Sequence, residues 1–187
     1  MEKFFEAISS GNAEKVKLML TLGQDPNVKN SDGFSPLNVA IGEGDSEIIE
    51  MLISAGANVN AVEEDSLGHH GDPIPLLHFA IADSCGETEI VNLLISAGAN
   101  VNAVSEYGSS PLHWAADENP RITNMLISAG ANVNAVDKDG NSPLHRAVLC
   151  GNLGSHCYAE IINMLTSAGA DVTATNKEGK TALELMS

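Results

Sequence analysis

A ten-residue string, ISAGANVNAV, occurs letter for letter three times, at Ile53 to Val62, Ile95 to Val104 and Ile127 to Val136. Degenerate copies flank it, LGQDPNV from Leu22 to Val28 and SAGADVTAT from Ser167 to Thr175. The glycine shared by all five, at positions 23, 56, 98, 130 and 169, recurs after 33, 42, 32 and 39 residues. A unit of that size cannot bury its own apolar face and must lean on its neighbours. A period near 33, lengthened twice, therefore implies a stacked solenoid and not a globule around one central core.

Within a unit the residues follow a fixed grammar. Asp32 and Gly33 favour a tight turn, Ser35 caps a helix and Pro36 occupies its first turn, where no amide donor is needed. A short helix over Pro36 to Gly42 is expected, then a second from Asp45 or Ser46, with Ile48, Ile49, Leu52 and Ile53 on one buried stripe. Gly56 ends it in the left-handed conformation. At the amino terminus, EKFFEAISS and AEKVKLMLTL read as two helices that turn Phe4, Phe5, Ile8, Val16, Leu18, Met19 and Leu22 inward and leave a charged outer face.

The grammar D-x-G-x-[S/T]-P-L-H-x-A, followed by a longer helix and L-[I/L]-x-x-G-A-x-V-N, resembles the ankyrin repeat along essentially the whole chain. Pro111, Leu112, His113 and Ala115 carry it as SPLHWAA, and Pro143, Leu144, His145 and Ala147 as SPLHRAV. Pro75 to Ala80 is a looser copy, and Asn38 stands where the histidine is usual. The resemblance implies an all-α repeat solenoid, with a β-hairpin and two antiparallel helices per unit. It also implies that His78, His113 and His145 are structural, bonding between adjacent repeats. Asn60, Asn102 and Asn134 stand where such domains of animal cells can be hydroxylated, although turn formation is sufficient reason for them. The chain divides as one domain, 1–187: an amino-terminal cap unit over 1–29, internal units 30–62, 63–104, 105–136 and 137–175, and a partial carboxy-terminal cap over 176–187.

Two departures from the period stand out. From Asn60 to His78 is 18 residues, against 11 from Asn102 to His113, so EEDSLGHHGDPI, Glu63 to Ile74, is expected as an exposed extended loop. From His145 to Gly169 is 24 residues, against 18 from Asn38 to Gly56, which places a six-residue insertion around CGNLGSHCYAE.

With nine basic and 25 acidic residues the formal charge is −16, which disfavours nucleic acid and membrane surfaces as partners. Three irregularly spaced cysteines suggest a reducing compartment instead of a disulfide framework. Without a readable secretory signal or a span-length apolar run, a cytoplasmic location is expected, with an exported bacterial effector acting in a host cytoplasm as the alternative.

No nucleophile elbow, phosphate loop or H-E-x-x-H motif is present, and no catalytic residue, cofactor or metal is expected. Cys150, His156 and Cys157 could be assembled into a metal or nucleophile site, which keeps an enzyme or metal protein built on the Cys150 to Cys157 insertion as an alternative. The interaction fragment of a larger multidomain protein is another. The leading expectation is a non-catalytic, monomeric protein-binding module, either a scaffold or an inhibitor, such as an immunity or effector protein. Its partner would be another protein with a basic face, held on the concave surface of turns and first helices that the resemblance implies. The variable positions there are Asp32, Phe34 and Glu43, then Glu106, Tyr107, Ser109, Asp117 and Glu118, then Lys138, Asp139, Asn141 and Leu149. Phe34 and Tyr107 serve as aromatic anchors, and Leu67, His69 and His70 are candidate loop contacts. Trp114 is assigned to the packing between repeats.

Overall fold

The computed structural model of the chain describes residues 2–63, 73–83, 88–152 and 158–186. They form two compact units, 1–99 and 100–187. The first holds α1 (Glu2–Ser9), α2 (Ala13–Thr21), α3 (Pro36–Gly42), α4 (Ser46–Ser54), the strands β1 (Val62–Glu63) and β2 (Ile74–Pro75), α5 (Leu76–Asp83) and α6 (Thr88–Ser96). The second holds α7 (Pro111–Glu118), α8 (Pro120–Ser128), α9 (Pro143–Asn152), α10 (Tyr158–Ser167) and a 3-10 turn at Leu183–Met186.

Local chemistry accounts for the helix ends. The side chains of Asn12, Asp45 and Asn119 accept the amides of Lys15, Ile48 and Ile122, each at 3.0 Å, and so satisfy first-turn donors of α2, α4 and α8. At the other end of α4, Gly56 adopts φ +93° and lets the Ala57 amide reach back to Leu52 O at 2.9 Å. The same closure follows α6, α8 and α10. Between caps, the apolar stripes meet: Leu37, Ile41, Ile48, Ile49 and Leu52 are buried in the first unit, and Leu112, Ile122, Leu126, Leu144 and Ile161 in the second. Each such side chain contributes about 1.5–3 kcal/mol of burial free energy.

Leu18 and Leu22, expected inside, are 58% and 77% exposed. Leu18 lies on the opposite face of α2 from Val16, which is buried, and Leu22 is the residue that ends the helix. Ile53, expected on the buried stripe, is half-buried, while Ile48, Ile49 and Leu52 are buried. The hairpins are also shorter than expected. Among the described residues only β1 and β2 pair as strands, Val62 opposite Pro75 and Glu63 opposite Ile74. Elsewhere two backbone bonds close the turn without a strand pair, Ser105 N to Ser109 O at 3.0 Å with Gly108 N to Ser105 O at 2.9 Å, and Asp137 N to Asn141 O with Gly140 N to Asp137 O, each 3.0 Å.

Asparagines join the repeats. The Asn27 amide donates to Gly56 O at 3.0 Å while its oxygen accepts the Asn58 amide at 2.8 Å. Asn102 does the same with Gly130 O and Asn132 N, and Asn134 with Gly169 O and Asp171 N. Asn60 donates to Gly98 O. Each is thus a clamp on the next repeat, beyond the turn-forming role expected of it.

The histidine links depend on one geometry. The Ser110 amide can only donate, so His113 Nδ1, 3.1 Å away, is its acceptor, and Nε2 carries the proton that goes to Asn141 O at 2.9 Å. His145 repeats this with the Ser142 amide and Lys180 O. Asn38 cannot, and a substitute comes from the following repeat. Glu63 is buried, its Oε2 accepts the Ser35 amide at 2.9 Å, and its Oε1 lies 3.8 Å from Lys29 Nζ. The insertion expected to be exposed over Glu63 to Ile74 therefore begins and ends in buried, paired residues, because Glu63 is needed where the motif histidine is missing. Residues 64–72 lie outside the described residues.

Glu63→Ala should lower the unfolding free energy of the full chain by about 1–3 kcal/mol in urea titrations, since a buried amide loses its acceptor. Adding Asn38→His to that variant should recover part of the loss. A double variant no better than the single one would remove the substitution argument.

Candidate functional site

The turns of unit 100–187 are built to be stiff. Asp137 Oδ1 accepts the amides of Asp139 at 2.9 Å and Asn141 at 2.8 Å, and Asn176 Oδ1 accepts those of Glu178 and Lys180. One carboxylate or amide oxygen thereby fixes each of these two tips, whereas Ser105, which holds the same place in the Tyr107 turn, has a buried hydroxyl without a partner among the described residues. The tips then bond to one another, Lys138 N to Tyr107 O and Lys177 N to Asp139 O, both 2.9 Å. That approach requires glycine. Gly108 and Gly140 have φ of +75° and +79°, and a Cβ on them would lie 3.2 Å from Lys138 N and 3.0 Å from Lys177 N.

On this frame Tyr107 is 49% exposed, with Lys138 Nζ 6.0 Å from its ring centroid, the outer limit of a cation–π contact. Glu106, Lys138 and Asp139 are exposed beside it, and Ser109 and Asn141 are half-buried at the base of their turns. Asp117 is engaged within the chain. Its two oxygens accept from Arg146 Nε at 3.1 Å and Nη2 at 2.6 Å, and this carboxylate raises the Arg146 pKa against the effect of partial burial. Leu149, Cys150 and Trp114 are half-buried. Below the tips Val104 and Val136 are 60% and 59% exposed.

The link beneath the site runs through a titratable ring. Burial is the largest cause that lowers the His113 pKa from its ordinary value of 6.5, outweighing the Asn141 carbonyl and the carboxylates of Asp137 and Asp117, with Arg146 acting in the same direction as burial. A proton on Nδ1 would also face the Ser110 amide.

A family model for ankyrin repeats, in three copies, matches residues 4–63 and 77–176. The chain belongs to the ankyrin-repeat family. Its fold class is the all-α repeat solenoid, and ankyrin repeats are in general protein-binding modules, typically without catalysis. Protein phosphatase 1 regulatory subunit 27 of Mus musculus is 40% identical over 60 residues, 32% of this chain and 39% of that protein. A putative ankyrin repeat-containing protein of Treponema pallidum is 41% identical over 63 residues, 34% of this chain and 20% of its own length. Scaffold protein ILK of Homo sapiens is 41% identical over 63 residues, 33% of this chain and 14% of its own length. The matched stretch thus covers less than half of each relative.

Of the ankyrin positions singled out in the sequence, the structure brings Tyr107, Lys138 and Asp139 onto adjoining tips. In unit 1–99 Asp32 and Glu43 are exposed, whereas Phe34 is half-buried in a turn whose Asn30 side chain accepts its amide at 2.9 Å. Leu67, His69 and His70, together with Cys85, His156 and Cys157, lie outside the described residues, as does the Glu118 side chain. Among the described residues no cluster of His, Cys, Asp or Glu is arranged to hold a metal, and no helix is long and apolar enough to cross a membrane.

Sequence reasoning missed the valines. Val62, 54% exposed, precedes Glu63 as Val104 precedes Ser105 and Val136 precedes Asp137, while Lys29 and Thr175 hold the equivalent places in the outer repeats. The fold accepts a polar residue there, so apolar residues in three consecutive copies were the readable signal. Charge is divided as well: residues 1–99 carry sixteen acidic and four basic side chains, and 100–187 carry nine and five.

Gly140→Ala should cost about 2 kcal/mol in urea unfolding, from left-handed strain and the blocked approach to Lys177 together. Gly130→Ala, at φ +88° with nothing within 4 Å of the added carbon, should cost only about 1 kcal/mol. Equal losses would mean that the tips do not need the close approach. Because the folded state depresses the His113 pKa, the unfolded chain takes up that proton first as pH falls. The stability from neutral His113 is therefore intact above 6.5 and lost as pH drops below it. Between about pH 7.5 and about pH 5.5 the wild-type unfolding free energy should fall more steeply than that of His113→Gln, and parallel curves would rule this out.

Proposed function

We propose that this chain is a non-catalytic binding module that holds a partner protein on the turn edge of unit 100–187, with Tyr107 as anchor, Val104 and Val136 as apolar floor, and Glu106, Lys138 and Asp139 as rim. The observation that carries the reading is the pair of exposed valines, repeated where the fold tolerates Lys29 and Thr175, beside an exposed tyrosine on a backbone-bonded frame. A tyrosine is the kind of side chain that anchors an interface, and valines on a rigid support lose little conformational entropy when covered. Asp117 is assigned to positioning Arg146 instead of to contact.

The acidic excess of unit 1–99 favours a partner with a basic face and speeds its encounter, with Asp32 and Glu43 as exposed carboxylates there. Function is then occupancy. The bound surface of the partner is blocked, or the partner is tethered, in keeping with the regulatory and scaffold roles named for two of the relatives.

The test is paired affinity capture from the source cell with the full chain and with a Val104→Ser, Tyr107→Ala, Val136→Ser variant. A polypeptide held by the former should be lost from the latter, with affinity reduced by about 2 kcal/mol or more and with helicity unchanged. Equal capture by both would remove this edge as the binding site.

A further inference from the structure

The backs of α8 and α10 form a surface that the binding reading does not use. The two helices pack side by side in unit 100–187, and their ends are tied by the Asn134 side chain, four residues after Gly130, bonding Gly169 O. Counted back from Gly130 and Gly169 they are in register and run the same way. Nine residues back stand Arg121 and Glu160, six back Asn124 and Asn163, five back Met125 and Met164. Two and one back stand Ser128 with Ala129 and Ser167 with Ala168. The methionines are half-buried and the rest are exposed. Between the helices runs a groove of about 710 Å³, and among the described residues Glu160 is the one charged residue lining it.

Arg121 reverses the sign found at this position in every other repeat, where Glu14, Glu47, Glu89 and Glu160 stand. Among the described residues neither Arg121 nor Glu160 has an ion-pair partner. Among the described residues of this back face the charges are a single positive and a single negative group at the same height on adjacent helices.

We propose that this face is the interface of a homodimer, with its two-fold axis along the α8/α10 groove and parallel to both helices. That operation lays α8 of each copy over α10 of the other without changing height. Arg121 then meets Glu160 of the second copy, twice. Asn124 meets Asn163, whose amides can donate to and accept from each other, and Met125 meets Met164 over the groove. The Ser-Ala pairs at the far end let the backbones approach closely.

Charge complementarity selects a second copy as the occupant. A neutral face with reciprocal charges is where two chains of −16 meet with the least like-charge repulsion. The corresponding groove of unit 1–99, lined by Lys17, Glu47 and Glu50 among others, suits the same operation less well: it would pair Lys17 with Glu50 but set Glu14 against Glu47, and these four positions carry one basic and three acidic side chains. A monomer was expected from the sequence, but net charge carries no information on how charge is distributed over the surface.

The test uses the full chain in sedimentation equilibrium from micromolar to submillimolar concentration at physiological salt. The mass should rise towards twice the chain mass. Arg121→Glu alone and Glu160→Arg alone should each weaken the dimer by at least about tenfold, with unchanged circular dichroism. Mixing the two single variants should restore it as a heterodimer, since each reversed charge then faces its opposite, and so should the double variant. A monomer at all concentrations, a dimer indifferent to either reversal, or a mixture that fails to recover would overturn the proposal. So would reversals that abolish capture of a foreign polypeptide while the wild-type chain stays monomeric.

Discussion

At Asn27, Asn102 and Asn134 one repeat is fastened to the next by a side chain that both donates to and accepts from the following backbone. A carboxamide suits the task because it carries donor and acceptor on one planar group. At Asn27, Asn102 and Asn134 it closes on a carbonyl and an amide two residues apart in the next repeat. These bonds are exposed and individually modest, but they are directional, whereas the buried leucines and isoleucines are not. Hydrophobic contact brings neighbouring helices together, and the clamp sets their height. The even register of α8 and α10 depends on that setting, as does the spacing that lets one turn tip bond to the next.

Where the repeat departs from its pattern, the same demand is met by other atoms. An amide at the start of a first helix needs an acceptor, supplied by His113 and His145 from within the repeat and by Glu63 from the following one. The substitution changes the chemistry from a neutral ring to a buried carboxylate beside Lys29, and it ties the start of the long insertion to the core. A polar residue at the edge of an insertion reads as solvent-exposed from composition alone. Here it is among the most buried polar groups of its unit.

The turn tips of residues 100–187 are held by their own backbone. Asp137 and Asn176 consume the amides of their own turns, and glycine removes the one carbon that would hold the tips apart. Tyr107, named from the sequence as a turn aromatic, is indeed exposed, while Phe34, named for the same reason, is half-buried. Asp117, read as a recognition acid, is bound to Arg146. Val104 and Val136 escaped notice because they sit inside the string that identifies the repeat, where every letter looks structural.

Period, helix limits, capping residues and family were all legible in the chain itself, because each depends on residues within a few positions of one another: Asp45 capping α4, Gly56 ending it, Pro120 starting α8. What the tertiary structure alone decided is which side chains reach across to the neighbouring repeat and which face solvent. The asparagine clamps join residues 28 to 38 positions apart, and Glu63 to Ser35 spans 28. Helical and turn periodicity says nothing about such pairs, since their meeting depends on the stacking register, and that register is a sum of contacts over whole helix faces.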